Sequence, residues 1–134
     1  MEKTLVLIKP DAISRKLVGK IISYYEDKML KISEVKLIYP TEYLLSEHYK
    51  EHLGKPFYES LLTFMLSGPS IAMVLEGEFA VARVREVNGA TNPTDAAIGT
   101  IRGDLGENTS QNLVHGSDSL ESARREIALW FTQC

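Results

Sequence analysis

The sequence at residues 4–8 is TLVLI, a short apolar run that ends at Lys9-Pro10-Asp11. A run of this kind, bounded by turn residues, is typical of a buried strand. Beyond it, residues 17–30 carry apolar side chains at helical spacing, and residues 32–39 alternate apolar with charged side chains up to Pro40. The pattern therefore predicts a buried strand, a turn, a helix and a half-exposed second strand.

The remaining apolar patterns predict two more strands and four more helices. Residues 43–52 and 57–66 both have helical spacing and each is followed by a Gly/Pro turn, which predicts a helical hairpin. A strand at 71–75, a helix at 79–87 and a short strand at 112–114 follow. A last helix, after a capping box of Asp118 and Glu121, has the apolar stripe Leu120, Ala123, Ile127, Phe131. Helices interleaved with few strands predict an α+β fold, a ferredoxin-like βαββαβ arrangement in which helices cover a four-stranded antiparallel sheet.

Composition bounds the class of protein. The 134 residues are 44% hydrophobic and 25% charged, which is typical of one globular domain over residues 1–134. The formal net charge of −3 argues against nucleic acid as the main partner, since such proteins usually carry a basic face. The N-terminus lacks a signal-peptide pattern, and no apolar run approaches the ~20 residues of a membrane span. Cys134 is the only cysteine, so we expect a reducing compartment, the cytoplasm.

His115 is the first candidate for chemistry. It lies between the predicted strand at 112–114 and the last helix, and Gly116 lets the backbone approach a ligand closely. Free amides at a helix start favour a negative group, and a neutral imidazole is a capable nucleophile near pH 7. These are the requirements of a phosphate-accepting histidine, although a structural histidine fits the same position.

Residues 89–111 form a long segment rich in Gly, Thr, Asn, Asp and Pro. A connection longer than ~12–15 residues without structure is usually functional or disordered. Arg85, Thr91 and Arg102 flank or lie in the segment, and guanidinium groups with a hydroxyl suit a polyphosphate. In the alternative interpretation both arginines are solvated or paired with Glu86 and Asp104.

Other common site patterns are absent from the sequence or incomplete. There is no P-loop and no Gly-x-Gly-x-x-Gly dinucleotide motif. His48 and His52 lie four residues apart on a predicted helix, but no third ligand is evident, so a metal site is disfavoured.

Four short motifs, in order along the chain, resemble the nucleoside diphosphate kinase family. Residues 112–119 (NLVHGSDS) are similar to its N-x-x-H-G-S-D-S signature. Residues 8–11 (IKPD), 89–93 (GATNP) and 99–104 (GTIRGD) resemble further family motifs, and the similarity runs from about residue 3 to 131. Four motifs in register are far more specific than any one of them.

The resemblance implies a role for each matching residue. His115 matches the phosphorylated histidine, and Ser117 and Glu126 match its supporting residues. Lys9 matches the lysine that contacts the sugar hydroxyl and the transferring phosphate, and Asn112 matches the asparagine that binds the sugar. Arg85, Thr91 and Arg102 match the phosphate clamp. Phe57 matches the aromatic residue that stacks on the base, and Tyr49 and Leu61 match its neighbours in the cleft. From the residues alone, Phe57 and Leu61 could equally be core, Glu126 a solvated helix residue and Lys9 a surface lysine.

The family implies a ping-pong mechanism. A nucleoside triphosphate, with Mg²⁺ on its phosphates and no all-protein metal cage, phosphorylates His115, and a second nucleoside diphosphate collects the phosphate. Expected partners are nucleoside di- and triphosphates (ATP, GTP, ADP, GDP and others) with broad base specificity, and further copies of the chain.

Two departures from the family pattern affect these expectations. Leu105 stands where the family often has an aromatic residue, and Thr109 where it often has an apolar one. The chain stops at Cys134, earlier than many relatives, which favours a tetramer over a hexamer. A phosphohistidine relay without nucleotide exchange, and a structural or nucleic-acid-binding module, are the rival functions; Lys9, Arg85, Arg102 and Asn112 argue against the relay.

Overall fold

The apolar run near the start of the chain lies inside a four-stranded antiparallel sheet, as strand β1 (Glu2–Ile8). The computed structural model describes residues 1–131, so Cys134 lies outside the described residues. The other strands are β2 (Lys31–Ile38), β3 (Ser70–Gly77) and β4 (Val114–Gly116), in the spatial order β2-β3-β1-β4. β3 pairs with β2 and β1, and β4 pairs with β1. This order confirms the ferredoxin-like fold.

Seven α-helices connect the strands within residues 1–131. They are α1 (Pro10–Ser14), α2 (Val18–Glu26), α3 (Glu42–His48), α4 (Tyr58–Leu66), α5 (Ala80–Asn88), α6 (Ile101–Leu105) and α7 (Leu120–Phe131). Short 3-10 turns occupy Lys50–His52 and Pro93–Asp95. None of the helices in the described part of the chain has both the length and the apolar character of a membrane span.

Residues 5–8 of β1 are all apolar because both faces of the strand are covered there. Val6 and Ile8 pack in one cluster with residues of α2 and α5, while Leu5 and Leu7 pack in a second cluster with residues of α3, α4 and α7. Side chains alternate between the faces of a strand, so a strand buried on both faces needs apolar residues at every position.

The first helical region differs from the prediction. Pro10 begins α1 and does not form a turn, because its fixed φ and missing N–H fit the first helical position. The helix predicted at 17–30 ends at Glu26. Met29 has a φ of 62°, a left-handed conformation that no helix continues.

The apolar side of β2 faces outward. Val35 and Leu37 are exposed to 56% and 60%, and Tyr39 beyond the strand is exposed to 73%. β2 lies at the edge of the sheet, so these side chains form an uncovered apolar face at that edge.

The segment at 89–111 contains more regular structure than predicted. Asn92 accepts a hydrogen bond from the backbone N–H of Thr94 and caps the 3-10 turn, and Thr100 accepts one from Gly103 and caps α6. Capping residues that the sequence analysis counted as loop signals therefore begin helices here.

The region around His115 is shifted along the chain. β4 covers Val114–Gly116, so His115 lies within the strand and not at its end. Ser119 caps α7 by accepting from the backbone N–H of Ser122 at 3.0 Å, so the predicted cap at Asp118 was wrong by one residue. Leu120 is 43% exposed, and the buried face of α7 includes Glu126 and Trp130 instead.

Candidate active site

A cavity of about 600 Å³ collects most of the predicted site residues. Ten of the eleven line its wall: Lys9, Tyr49, Phe57, Leu61, Arg85, Thr91, Arg102, Asn112, His115 and Glu126. Ser117 is buried, and it reaches the site through its hydrogen bond to Glu126.

His115 is held by a buried carboxylate. β4 pairs Leu7 with His115, and Glu126 Oε1 lies 2.8 Å from Nε2 of the imidazole. Ser117 donates its hydroxyl to the same oxygen at 2.8 Å, and Arg125 Nη2 lies 3.8 Å from Glu126 Oε2. A carboxylate accepts, so Nε2 carries the ring proton and Nδ1 of the neutral ring keeps its lone pair. The arrangement supplies a nucleophilic nitrogen with a fixed ring orientation.

Lys9 and Asn112 form a second polar unit of the cavity wall. Lys9 Nζ donates to Asn112 Oδ1 at 2.9 Å, and Asn112 Nδ2 donates to the carbonyl of Thr91 at 3.0 Å. Burial, with the charge of Arg102 adding to it, lowers the pKa of Lys9 to about 8, although Asp11 opposes the shift. Lys9 is buried and is not the surface lysine that was the alternative interpretation.

Arg102 has a structural role that the sequence did not indicate. Its guanidinium donates to the backbone carbonyls of Asn112, Gly89 and Val114 at 3.3, 2.8 and 2.6 Å. A guanidinium has five N–H donors, so two remain for a ligand in the cavity.

The ion pairs considered for the two arginines do not form. Asp104 accepts from the Tyr24 hydroxyl and from the backbone N–H of Gly99. Arg85 is exposed on α5 and makes no salt bridge among residues 1–131. Both arginines therefore present positive charge to the cavity.

Aromatic rings line the other end of the cavity, where α3 passes into α4. Phe57 is 45% exposed and lines the cavity, whereas Leu61 is half-buried, lines the cavity and also packs against the core cluster of Leu5 and Leu7. The Tyr49 ring is buried, and its hydroxyl has no hydrogen-bond partner among the described residues. Burial raises the pKa of Tyr49, with Glu126 adding to the shift, so the hydroxyl keeps its proton.

Sequence reasoning missed several residues of the cavity wall. His52 contacts the Phe57 ring edge-on at 5.3 Å between centroids. Arg125 lies beside Glu126, which the adjacent Arg-Glu pair could have indicated. His48 packs against His115, and no local pattern signals a contact between residues so far apart in the chain.

The group in the described residues that resembles a metal site includes His48 but not His52. Ligand atoms of His48, His115 and Glu126 all lie within 4.8 Å of one another, and His52 is not a member of this group.

The comparisons with known proteins agree with this fold. The family model described as nucleoside diphosphate kinase matches residues 2–134. The nucleoside diphosphate kinase of Caldanaerobacter subterraneus subsp. tengcongensis is 55% identical over 99% of this chain and 96% of its own length. That of Mycobacterium marinum is 57% identical over 97% of this chain and 96% of its own length.

Solved structures extend the likeness to three dimensions. Nucleoside diphosphate kinase from Encephalitozoon cuniculi, an apo structure, superposes with a TM-score of 0.97 at 43% identity, over 99% of this chain and 90% of that one. The Halobacterium salinarum enzyme in complex with CDP superposes with a TM-score of 0.95 at 47% identity, over 98% of this chain and 88% of that one.

The fold, the cavity and these likenesses together define an enzyme that transfers phosphate between nucleotides. The chain belongs to the nucleoside diphosphate kinase family, as the resemblance of its motifs predicted. Its activity is the transfer of the terminal phosphate of a nucleoside triphosphate to a nucleoside diphosphate.

Proposed function

We propose that the transfer proceeds by a ping-pong mechanism through His115. The lone pair of Nδ1 attacks the terminal phosphorus, and the bond to the bridging oxygen breaks, so that the nucleoside diphosphate leaves with those electrons. Glu126 Oε1, 2.8 Å from Nε2, carries this proposal, because it orients the ring and offsets the positive charge that develops on it. A second nucleoside diphosphate attacks the phosphohistidine and reverses the bond changes.

The positive wall of the cavity is suited to the phosphate chain. Lys9, Arg85 and the two remaining N–H groups of Arg102 supply fixed donors, with the Thr91 hydroxyl beside them. Phosphoryl transfer depends mainly on positioning and on stabilisation of charge, which such preorganised donors provide. Asn112, held between Lys9 and Thr91, is the proposed contact to the sugar.

Broad base specificity follows from the apolar mouth of the cavity. Phe57 and Leu61, with Tyr49 behind them, offer flat and apolar surfaces to a base. Stacking accepts any base, because every base has a π-face. The substrates proposed are therefore nucleoside di- and triphosphates in general, such as ATP, GTP, ADP and GDP.

Mg²⁺ is proposed to enter with the nucleotide. Among residues 1–131, the group that resembles a metal site has two imidazoles and one carboxylate, whereas Mg²⁺ prefers oxygen ligands. The donor set therefore does not fit an all-protein Mg²⁺ cage. The ion would neutralise part of the negative charge of the nucleotide phosphates, and Lys9, Arg85 and Arg102 would neutralise the rest.

We also propose that residues 1–134 act as one domain and that the chain forms a homo-oligomer in the cytoplasm, a tetramer in preference to a hexamer. The exposed apolar side chains of the edge strand β2 support self-association, because an edge strand offers unpaired backbone groups next to that surface. The formal net charge of −3 argues against nucleic acid as the main partner, whereas the basic side chains of Lys9, Arg85 and Arg102 in the cavity wall support nucleotides.

Incubation with γ-labelled ATP followed by addition of GDP tests the proposed route. The wild type is expected to acquire an acid-labile label and to release it as labelled GTP. His115→Ala is expected to remain unlabelled, whereas His52→Ala, a control in the same cavity, keeps the label. Labelling of His115→Ala would contradict the proposal, and a label that GDP cannot remove would favour the relay function.

A further inference from the structure

His48 is a buried histidine of the cavity wall to which the proposed function gives no role. It is the last residue of α3, and only 5% of it is exposed. Its Nδ1 accepts a hydrogen bond from the indole N–H of Trp130 at 3.0 Å. Its ring meets the ring of His115 edge-on, with 4.6 Å between centroids and 77° between planes.

The bond from Trp130 decides the tautomer of His48. An indole nitrogen donates and never accepts, so Nδ1 of His48 must hold a lone pair. The proton of the neutral ring therefore lies on Nε2. Protonation of Nδ1 would set two N–H groups against each other.

The surroundings keep the ring neutral. Burial lowers the pKa of His48 well below its ordinary value, and the nearby basic groups act in the same direction whenever they carry a proton. These groups come from four parts of the chain: His115 on β4, Arg125 on α7, Lys9 after β1 and His52 in the 3-10 turn.

The same tautomer makes a metal ion a poor occupant of the His48, His115 and Glu126 group. A histidine binds metal through an unprotonated nitrogen, and in His48 that nitrogen is already engaged by Trp130. Glu126 Oε1 is also occupied, because it accepts from Ser117 and His115. The cluster is therefore arranged as a set of hydrogen bonds.

Nε2 of His48 is a donor without a partner. It makes no hydrogen bond within residues 1–131. It is also absent from the fully buried side-chain atoms of these residues that lack a partner. Because His48 lines the cavity beside His115, a phosphoryl group on His115 would bring acceptor oxygens next to this N–H.

We propose that Trp130 locks His48 as a neutral donor whose Nε2–H binds an oxygen of the phosphoryl group during its transfer to and from His115. The proposal rests on the proposed phosphorylation of His115. His48 is then a further catalytic residue, and Trp130 is a positioning residue that acts through it.

Two variants of His48 distinguish a role as hydrogen-bond donor from a role in packing alone. His48→Phe keeps a ring and removes the donor, whereas His48→Gln places an amide N–H near the position of Nε2. His48→Phe is expected to slow both half-reactions on the order of a hundredfold, the effect of one lost preorganised donor, with little change in nucleotide KM. His48→Gln is expected to recover part of the rate.

Trp130→Phe tests the lock itself. In the wild type, ¹⁵N NMR of the histidine rings is expected to place the proton of His48 on Nε2 across neutral pH. In Trp130→Phe the two tautomers are expected to mix, and single-turnover phosphorylation is expected to slow less than in His48→Phe.

Three outcomes would overturn the inference: a wild-type proton on Nδ1 of His48, a His48→Phe variant that phosphorylates at the wild-type rate, or equal rates for the Phe and Gln variants. The first needs no variant, so it decides the matter even if a substitution prevents folding. Failure of His115 to accept any label would instead contradict the proposed function.

Discussion

Lys9 directly follows β1 with its ammonium group buried, and its neighbours shift its pKa in opposite directions. Burial and Arg102 favour the neutral amine, whereas Asp11 favours the ammonium, and the net effect is a pKa of about 8. The proposed contact of Lys9 with phosphate requires the charged ammonium form, so this role predicts that catalysis depends on pH.

We expect kcat/KM to fall as the pH rises through about 8, because the free enzyme then loses the charge of Lys9. Lys9→Arg keeps its charge throughout and is expected to lose this limb of the pH profile, although its overall rate is lower. A wild-type profile that stays flat to pH 10 would contradict the assignment.

The lowered pKa of Lys9 also affects stability, and here the effect of rising pH is favourable. Lys9 has a lower pKa in the folded chain (about 8) than its ordinary value of 10.5, so between these values the unfolded chain binds more protons. The contribution of Lys9 to the free energy of unfolding therefore rises with pH in this window. Denaturant unfolding from pH 7 to 10 measures the effect: relative to Lys9→Met, the free energy of unfolding of the wild type is expected to rise with pH.

Arg102 and Arg85 differ in how they are held. Arg102→Ala is expected to lose about 2.7–4 kcal/mol of transition-state stabilisation in kcat/KM, and also to unfold more easily, because it leaves three carbonyls without their donor. Arg85→Ala is expected to lose activity but to stay within ~0.5 kcal/mol of wild type in stability, since Arg85 makes no salt bridge within residues 1–131. An unchanged kcat/KM in Arg102→Ala would refute its contact with phosphate.

Among single residues, the motifs predicted ten of those that line the cavity. His115, Lys9 and Asn112 could be named because each lies in a short pattern that resembles a family. His48 could not, since its contacts with His115 and Trp130 depend on packing between α3, β4 and α7. The three backbone bonds of Arg102 are hidden for the same reason, because a sequence does not indicate which carbonyls converge on one guanidinium.

At the scale of elements, β4 lies against α5 with no room for a side chain. A Cβ on Gly116 would come within 2.8 Å of Asn88 Nδ2 and 2.9 Å of Val84 Cγ1. The sequence predicts that Gly116 lets the backbone approach a ligand, and Gly116 does line the cavity, but it also packs directly against the side chains of this helix. A small residue is therefore needed to hold the strand of His115 in place.

Gly116→Ala is expected to destabilise the protein by about 1–3 kcal/mol, the usual effect of overpacking, and to slow phosphorylation by moving β4. Gly19→Ala is the matched control. No atom lies within 4 Å of a Cβ there, and Gly19 lies inside α2, so the change is expected to stabilise by ~0.4–1 kcal/mol. Thermal unfolding of both variants checks the pair, and equal shifts of Tm would contradict the account.

The order of the elements was predictable, but several boundaries were not. Apolar periodicity located every strand and the long helices, because burial imposes that periodicity. The 3-10 turn at Pro93–Asp95 and α6 were missed, since their short helices lack a periodic face and depend on caps at Asn92 and Thr100. β4 begins two residues later than predicted, because the register with β1 fixes it and Leu113 has a left-handed φ of 78°.

In the molecule as a whole, each face of the sheet is covered by its own core cluster. One cluster packs α2 and α5 under the sheet, and the other packs α3, α4 and α7 over it. His115 lies at the edge strand β4, and the exposed apolar residues lie at the opposite edge, on β2. Association through β2 would therefore leave the edge that carries His115 free.

The double substitution Val35→Glu and Leu37→Glu is expected to reduce the oligomer to smaller species, because it places charge on the exposed apolar face. Light scattering after size-exclusion chromatography measures the mass, with Glu34→Gln on the same strand as the control. A monomeric wild type, or an unchanged mass in the double variant, would contradict association through this surface.

Nδ1 of His115 is proposed to carry the phosphoryl group between nucleotides. NMR of the phosphorylated enzyme, with ³¹P and ¹⁵N-labelled histidine after incubation with ATP, identifies the bonded nitrogen directly. We predict one phosphoryl group per chain, coupled to Nδ1 of His115 and lost when GDP is added. Coupling to Nε2, or a phosphoryl group on Glu126 or any other residue, would contradict the account.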